Sequence, residues 1–183
     1  VGLACVVSAD TTLNIPDYRS AERTFQLITQ VAGRAGRGLK KGEVIIQTYN
    51  PENLAVTAAS RYDYEGFFAE EISFRKLMKY PPFSDLIQVQ FIGDNELETE
   101  SHALECKNYL SNKEIDKNGN EIFGPKGTHQ ISKERDVFRC SILIKASKGS
   151  RNKYIYYISK YGEYVTSNTK LSFVIDVNPY SGF

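Results

Sequence analysis

The chain is 183 residues long, 41% hydrophobic and 25% charged, enough for one good-sized globular domain or two small ones and too apolar for a disordered polymer. Its 23 basic and 22 acidic side chains leave a net charge of +1, so the total alone points to no acidic partner. The longest apolar run, Val1 to Ala9, falls far short of the ~20 residues that span a bilayer, and no charged segment with a cleavage site marks a secretory signal.

Val1 to Ser8 is continuously apolar, as expected of a strand buried on both faces of a parallel sheet. After a polar loop, Tyr18, Ala21, Phe25, Ile28 and Ala32 recur at helical spacing, so residues 18–33 read as an amphipathic helix stopped by Gly33. Gly36, Gly38 and Gly42 mark a loop, and Glu43 to Tyr49 reads as a second strand. Residues 52–60 form a short helix. Asp63 to Met78 is a longer one, its broad apolar face built from Tyr64, Phe67, Phe68, Ile72, Phe74, Arg75 and Met78. Tyr80-Pro81-Pro82 ends it, because a residue before proline is pushed out of the α region.

From residue 84 onward the expected order is a strand around Leu86 to Ile92, a polar helix from Glu96 to Leu110, and a turn at Asn118-Gly119-Asn120. Gln130 to Lys133 is then expected to pair with Val137 to Ala146, followed by a helix over Ser150 to Val165 and a last strand over Leu171 to Val177. That strand-helix-strand-strand-helix-strand order is the ferredoxin-like βαββαβ arrangement. Residues 1–50 supply only strand, helix, strand, too little to close an α/β layer, and read as the tail of a larger domain. The expected organisation is 1–50 as this partial lobe, 51–83 as a helical connector and 84–183 as the α+β domain. The only methionine is Met78, so the chain is expected to be a piece of a longer protein or a processed product.

Charge is unevenly distributed. Residues 1–50 carry +2, residues 51–112 carry −6 and residues 113–183 carry +5. The basic last third can attract a phosphate backbone, or its charges can decorate a solvated sheet edge. Cys5, Cys106 and Cys140 are scattered without a CxxC pair, which argues against a zinc site or a disulfide framework and for a reducing, cytoplasmic setting.

Between the first helix and its loop lies Gln30-Val31-Ala32-Gly33-Arg34-Ala35-Gly36-Arg37. Two arginines three residues apart project to one side, and each permanently charged guanidinium can grip phosphate oxygens in pairs. Gly33 and Gly36 let the backbone come close to a ligand, and Gln30, one helical turn earlier, can add a neutral hydrogen bond. A basic helix end complementing the helix dipole is the plainer alternative for RxGR alone; the Gln at the right offset and a strand on each side favour phosphate.

QVAGRAGRG resembles motif VI of superfamily-two helicases. The longer run from Ser8 to Asn53 closely resembles the PriA (primosomal protein N′) family of bacterial replication-restart helicases. The segment DYEGFFAEEISFRKLMKYPPFSDL, the GPKG at 124–127, RDVFRCSILIK at 135–145 and IDVNPYS at 175–181 extend the resemblance over nearly the whole chain. It implies that residues 1–50 end a second RecA-like lobe. Arg34 and Arg37 would then be arginine fingers for ATP, with Gln30, Gly33 and Gly36 lining the nucleotide. It also implies ATP and Mg²⁺ as cofactors, 3′-to-5′ unwinding, single-stranded and branched DNA as substrates, and single-strand-binding protein and primosome proteins as partners. The family's zinc-binding cysteines would lie only upstream. No GxxxxGK[ST] and no acidic Mg²⁺-binding motif occur here, so the chain by itself is expected to have no ATPase activity.

For DNA contact the candidates are Lys126, Lys133, Arg135, Arg139, Lys145, Lys148 and Arg151, with Lys153 nearby and Phe138 as an aromatic among them. Arg139 and Lys145 share a strand face by alternation. Their rival role is to offset the five carboxylates at 94–105. Tyr154, Tyr157, Tyr161 and Tyr164 lie on one helical face and read as core, as does Cys140. His102 and His129 stand without metal-ligand or catalytic partners. Two other readings stay open: a free-standing nucleic-acid-binding module, or a docking surface for primosome partners.

Overall fold

A computed structural model describes residues 2–35, 42–113, 115, 119–131 and 136–180, with backbone only for 128–131 and 136. Along the chain these form β1 (Leu3–Val6), α1 (Asp10–Leu13), α2 (Ser20–Ala32), β2 (Glu43–Ile46), α3 (Leu54–Ser60) and α4 (Tyr64–Leu77). There follow β3 (Ser84–Gly93), α5 (Glu96–Ser111), β4 (Glu121–Ile131), β5 (Asp136–Ser147), α6 (Arg151–Asn168) and β6 (Ser172–Val177). They divide into two compact units between Met78 and Lys79.

In the first unit β1 and β2 pair in parallel, Leu3 opposite Glu43 and Val6 opposite Ile46. Parallel neighbours need a crossover, and α2 supplies it. Phe25 and Ile28 on its inner face meet Ala55, Val56, Ala58 and Ala59 of α3 and Phe67 of α4. The Phe25 and Phe67 rings stack at 4.5 Å. The helices after β2 thus pack as part of this unit's core. Each starts on a capped turn: Asn53 accepts from the Ala55 N–H and Asp63 from the Gly66 N–H, both at 2.9 Å.

Two expectations about this unit change. The first strand is not buried on both faces here, since Leu3 and Val7 are exposed. On α4 only Phe67 and Glu71 are buried, while Phe68, Phe74 and Met78 are exposed. Counting apolar letters overstated a face whose centre is held by an ion pair, Glu71 accepting from Arg75 Nε at 2.8 Å.

The second unit is a four-stranded sheet in the order β4-β5-β3-β6, every neighbouring pair antiparallel. It is α+β, in the expected order of elements. Strand alternation sends Ile87, Val89 and Phe91 of β3 and Cys140, Ile142, Ile144 and Ala146 of β5 to one face. Ala103, Cys106 and Leu110 of α5 and Tyr154, Ile158, Tyr161 and Val165 of α6 close over that same face. Complete burial of an Ile, Val or Phe is worth about 1.5–3 kcal/mol, so this cluster is the main stabiliser of the unit. Gly162 lets α6 settle onto β6: a Cβ there would meet the Phe173 ring at 2.4 Å.

β4 is longer than expected and takes in Gly124-Pro125-Lys126-Gly127. The strand absorbs these residues as a bulge, its pairing with β5 shifting register between Phe123 and Lys126. Gly124 makes the bulge possible, with φ at +93° and the Ser141 carbonyl oxygen 2.8 Å from where a Cβ would stand.

Cys106 lies fully inside the core, and burial pushes its thiol from 9.0 up to about 12. Burial raises Tyr154 and Tyr161 as well, Tyr161 further because its hydroxyl donates to Glu105. These groups ionise more readily in the unfolded chain, so the stability they confer is complete below about pH 9 and lost as pH rises through the folded values. Urea unfolding is expected to weaken from about pH 9 upward, by a few kcal/mol at pH 12, and Cys106→Ala should flatten the profile. A profile already flat in the unmodified chain would contradict the buried state of this thiol.

Candidate functional site

The glycine-arginine motif begins on α2. Gln30 and Arg34, four residues apart, share one side at its C-terminal end, and both are exposed. The helix ends at Ala32 with Gly33 as its cap, and a turn continues through Arg34 N–H to Val31 C=O at 3.1 Å. Gly33 has φ of −66°, a conformation open to any residue, so its contribution is the space left beside Arg34. Gly36 and Arg37 lie outside the described residues. What is described is an exposed guanidinium and an exposed side-chain amide at one helix end. No P-loop lysine accompanies them in this chain.

A charge network fixes the other end of α2. Asp17, whose side chain is 1% exposed, accepts from Arg19 Nε at 3.1 Å and from Arg23 at 3.2 Å. Arg75 of α4 donates to Glu22 of α2 and to Glu71, both at 2.8 Å. The Tyr18 ring lies under both guanidiniums, 4.7 Å from Arg19 and 5.1 Å from Arg75. Sequence reasoning missed this clamp. Its one local signal was the Glu71–Arg75 spacing of four; the partner Glu22 is visible only in three dimensions.

The basic residues of the second unit are not brought together. Alternation puts Lys126 and Arg139 on the sheet face turned away from α5 and α6, Lys126 exposed and Arg139 half-buried, while the same face is closed around Leu86, Gln88 and Lys145, all buried. Phe123, 44% exposed, shares that face through its pairing with Leu143. Lys148 and Arg151 lie beyond the opposite end of β5, about 25–30 Å from Arg139 at ~3.3 Å per residue. Both are exposed, Arg151 standing 3.9 Å from Asp85. Lys133 and Arg135 lie outside the described residues.

Lys145 requires a correction. It shares the face of Arg139 as expected, yet it is only 7% exposed, its ammonium 4.2 Å from the Tyr80 ring centre and 5.3 Å from that of Phe123. Burial pushes its pKa below the usual lysine range, against the pull of Glu121, which itself accepts from Lys79 at 2.8 Å. Lys145 is therefore a packed cation that supports Phe123, not an open phosphate contact. Phe138 is also reassigned. By alternation it falls with Cys140 on the helix side, lining a small pocket of about 150 Å³ whose rim also includes Glu96, Thr99, Glu100 and Arg139, and Phe123 takes its place as the aromatic of the other face.

The tyrosines divide. Tyr154 and Tyr161 are core, Tyr157 is half-buried and packs against that core, and Tyr164 is 54% exposed, so the core reading fails for Tyr164 alone of the four. Cys140 is buried as expected. His102 packs beside Tyr161, whose hydroxyl donates to the His102 carbonyl at 3.2 Å. Among the described residues no three His, Cys, Asp or Glu side chains converge where they could hold a metal ion. No helix among them is long and apolar enough to cross a membrane.

A four-stranded antiparallel α+β unit follows a strand-helix-strand segment whose helix runs into a glycine-arginine motif ahead of its second strand. Residues 76–180 match the family described as the primosomal protein N C-terminal domain. The chain is 37% identical to the replication restart protein PriA of Chlamydia pneumoniae, over all of this chain and 24% of that protein. It is 39% identical to that of Synechocystis sp., over 99% of this chain and 21% of the relative. Against that of Bacillus subtilis it is 36% identical, over 98% and 22% respectively. The chain belongs to the PriA replication-restart family, and it spans about a quarter or less of the length of these relatives.

Proposed function

We propose that this chain supplies two working parts of a replication-restart DNA helicase: the motif VI end of a RecA-like lobe, and a ferredoxin-like domain that contacts single-stranded and branched DNA. The observation that carries the second part is the sheet face turned away from α5 and α6, on which Phe123 and Lys126 are exposed beside half-buried Arg139. Lysine and arginine follow a phosphate backbone, and an exposed ring offers a base something to stack on. The strand order β4-β5-β3-β6 with both helices on the other side supports the ferredoxin-like assignment.

For the first part, Arg34 and Arg37 serve as fingers toward the γ-phosphate of ATP and its Mg²⁺, with Gln30 beside them and Gly33 and Gly36 keeping the approach clear. Hydrolysis supplies the free energy for strand separation, in the 3′-to-5′ direction. The phosphate-cradling loop and the zinc-binding cysteines belong to residues outside this chain, which by itself does not turn over ATP. Single-strand-binding protein and primosome proteins are its partners in the cytoplasm.

Anisotropy titration of the chain with a labelled single-stranded oligonucleotide tests this sheet face. Lys126→Ala with Arg139→Ala is expected to weaken binding at low salt about tenfold or more and to lower the salt slope by roughly 1.4, since each phosphate contact on a single strand contributes about 0.7 to it. Binding that ignores salt, or that survives the double change intact, would remove DNA contact from this face.

A further inference from the structure

The core of the second unit needs only one side of α6. Tyr154, Ile158, Tyr161 and Val165 fill it, and the flank one residue step, about 100°, round such a helix ordinarily carries small polar and charged residues. Here it carries rings and cations in alternation. Lys153, Tyr157, Lys160 and Tyr164 follow one another at spacings of four, three and four, with Tyr156 beside them, which places them on one stripe. Tyr156 is 58% exposed and Tyr164 54% exposed.

These rings are contiguous, not scattered. Tyr156 and Tyr157 meet at 5.3 Å with their planes 71° apart, and Tyr157 meets Tyr109 of α5 at 6.4 Å. Tyr161 joins Tyr109 at 5.6 Å and Tyr164 at 6.0 Å. Cations lie over them: Lys113 is 4.3 Å from the Tyr109 ring centre and 5.2 Å from that of Tyr157, and Lys160 is 6.0 Å from that of Tyr156. Among the described residues the carboxylates on this side are Glu163, 3.9 Å from Lys160, and Glu105, 3.1 Å from the Tyr161 hydroxyl, so Lys113, Lys153 and Lys160 keep one positive charge in surplus. The ring chain thus runs from exposed Tyr156 through half-buried Tyr157 and Tyr109 and buried Tyr161 to exposed Tyr164, and exposed rings anchored on a core in this way mark an interaction surface. Interleaved lysines select a partner that is both anionic and flat-faced, and a single-stranded nucleic acid has an anionic backbone and stackable bases in alternation.

We infer that the outer face of α6, with Lys113 from α5, is a second single-strand-binding surface, separate from the sheet face. It deepens the DNA-contacting role proposed above and rests on it, but it lies on the helical side of the unit, so that one strand would engage both sides of the domain.

The test is anisotropy titration of the 183-residue chain with a labelled 30-nucleotide oligothymidylate, comparing three double variants. Tyr156→Ala/Tyr164→Ala is expected to bind on the order of tenfold or more weaker, because a stacked base contributes that much per ring. Tyr156→Phe/Tyr164→Phe should bind like the unmodified chain, since stacking needs the ring and not the hydroxyl. Both tyrosines lie outside the core, so circular dichroism and Tm should be unchanged in each. Lys126→Ala/Arg139→Ala serves as the separate probe of the sheet face. If the alanine pair binds normally while the sheet pair loses affinity, the second surface is overturned and the sheet reading stands. If the sheet pair binds normally while the alanine pair loses affinity, the reverse holds. Failure of phenylalanine to restore binding overturns stacking. Should the alanine pair keep its DNA affinity but lose capture of a poly-glutamate peptide, the face belongs to an acidic protein segment and the inference falls.

Discussion

Replacing Arg34 by alanine in a full-length replication-restart protein carrying this sequence is expected to lower ATP turnover by roughly 10³–10⁵, the range an arginine finger contributes. The loss should fall on kcat, with ATP affinity much less affected, because a finger acts on charge that develops only as the phosphoryl group transfers. Arg34 suits the experiment because it is exposed at the end of α2 and contributes nothing to the core, so its removal leaves the fold alone. Arg37→Ala should behave alike. Steady-state turnover and nucleotide binding, measured side by side, decide the matter. Near-normal turnover in both variants would remove the finger assignment, and a large rise in Kd with unchanged kcat would turn it into plain ground-state binding.

A second large effect is expected at the β4 bulge. Gly124→Ala forces a side chain onto a left-handed backbone, which costs about 1–2 kcal/mol. It also drives the new Cβ against the Ser141 carbonyl oxygen, 2.8 Å away on the paired strand. Overpacking of that kind adds about 1–3 kcal/mol, for a total of about 2–5 kcal/mol. For a unit of this size Tm should drop by roughly 10 °C or more. Gly127→Ala is the internal control, since nothing stands within 4 Å of its added Cβ and φ there is not positive. Thermal unfolding of the two variants should therefore differ sharply although both remove a glycine from the same tetrapeptide. The bulge also sets the register that puts Phe123 and Lys126 on the face turned away from α5 and α6, so Gly124→Ala should weaken single-strand binding too. Equal Tm values for the two variants would mean that Gly124 is not what holds the bulge.

Much of the fold was legible before any coordinates. Periodicity located α2 and α6, and alternation located β3 and β5, because each carries a regular apolar stripe; α5 carries none, its Leu97 and Leu104 being exposed where an inward stripe was expected, while Thr99, Ala103, Cys106 and Leu110 are buried. Beginnings and ends were harder. β4 was expected only from Gln130 to Lys133, where in fact it is almost over. A bulge leaves no periodic trace, since the inserted residues shift the phase of the strand. The apolar letters of α4 were counted as one buried face, whereas the helix is held by Arg75 reaching Glu22.

The candidate site shows the same division. Sequence by itself determined which residues are chemically suited to phosphate, the arginines of the glycine-rich motif and the lysines and arginines of the basic last third. It also determined that Arg139 and Lys145 share a strand face, because alternation is local geometry. Only the tertiary structure decided that Lys126 is exposed on that face, Arg139 half-buried and Lys145 covered, and that Phe123 replaces Phe138 as its ring. It likewise sent Lys148 and Arg151 to the far end of β5 and brought the outer tyrosines of α6 together with Tyr109 and Lys113. The reason is physical: a residue's type and strand phase are written beside it in the chain, but its exposure depends on which distant segment folds over it, as Tyr80 does over Lys145.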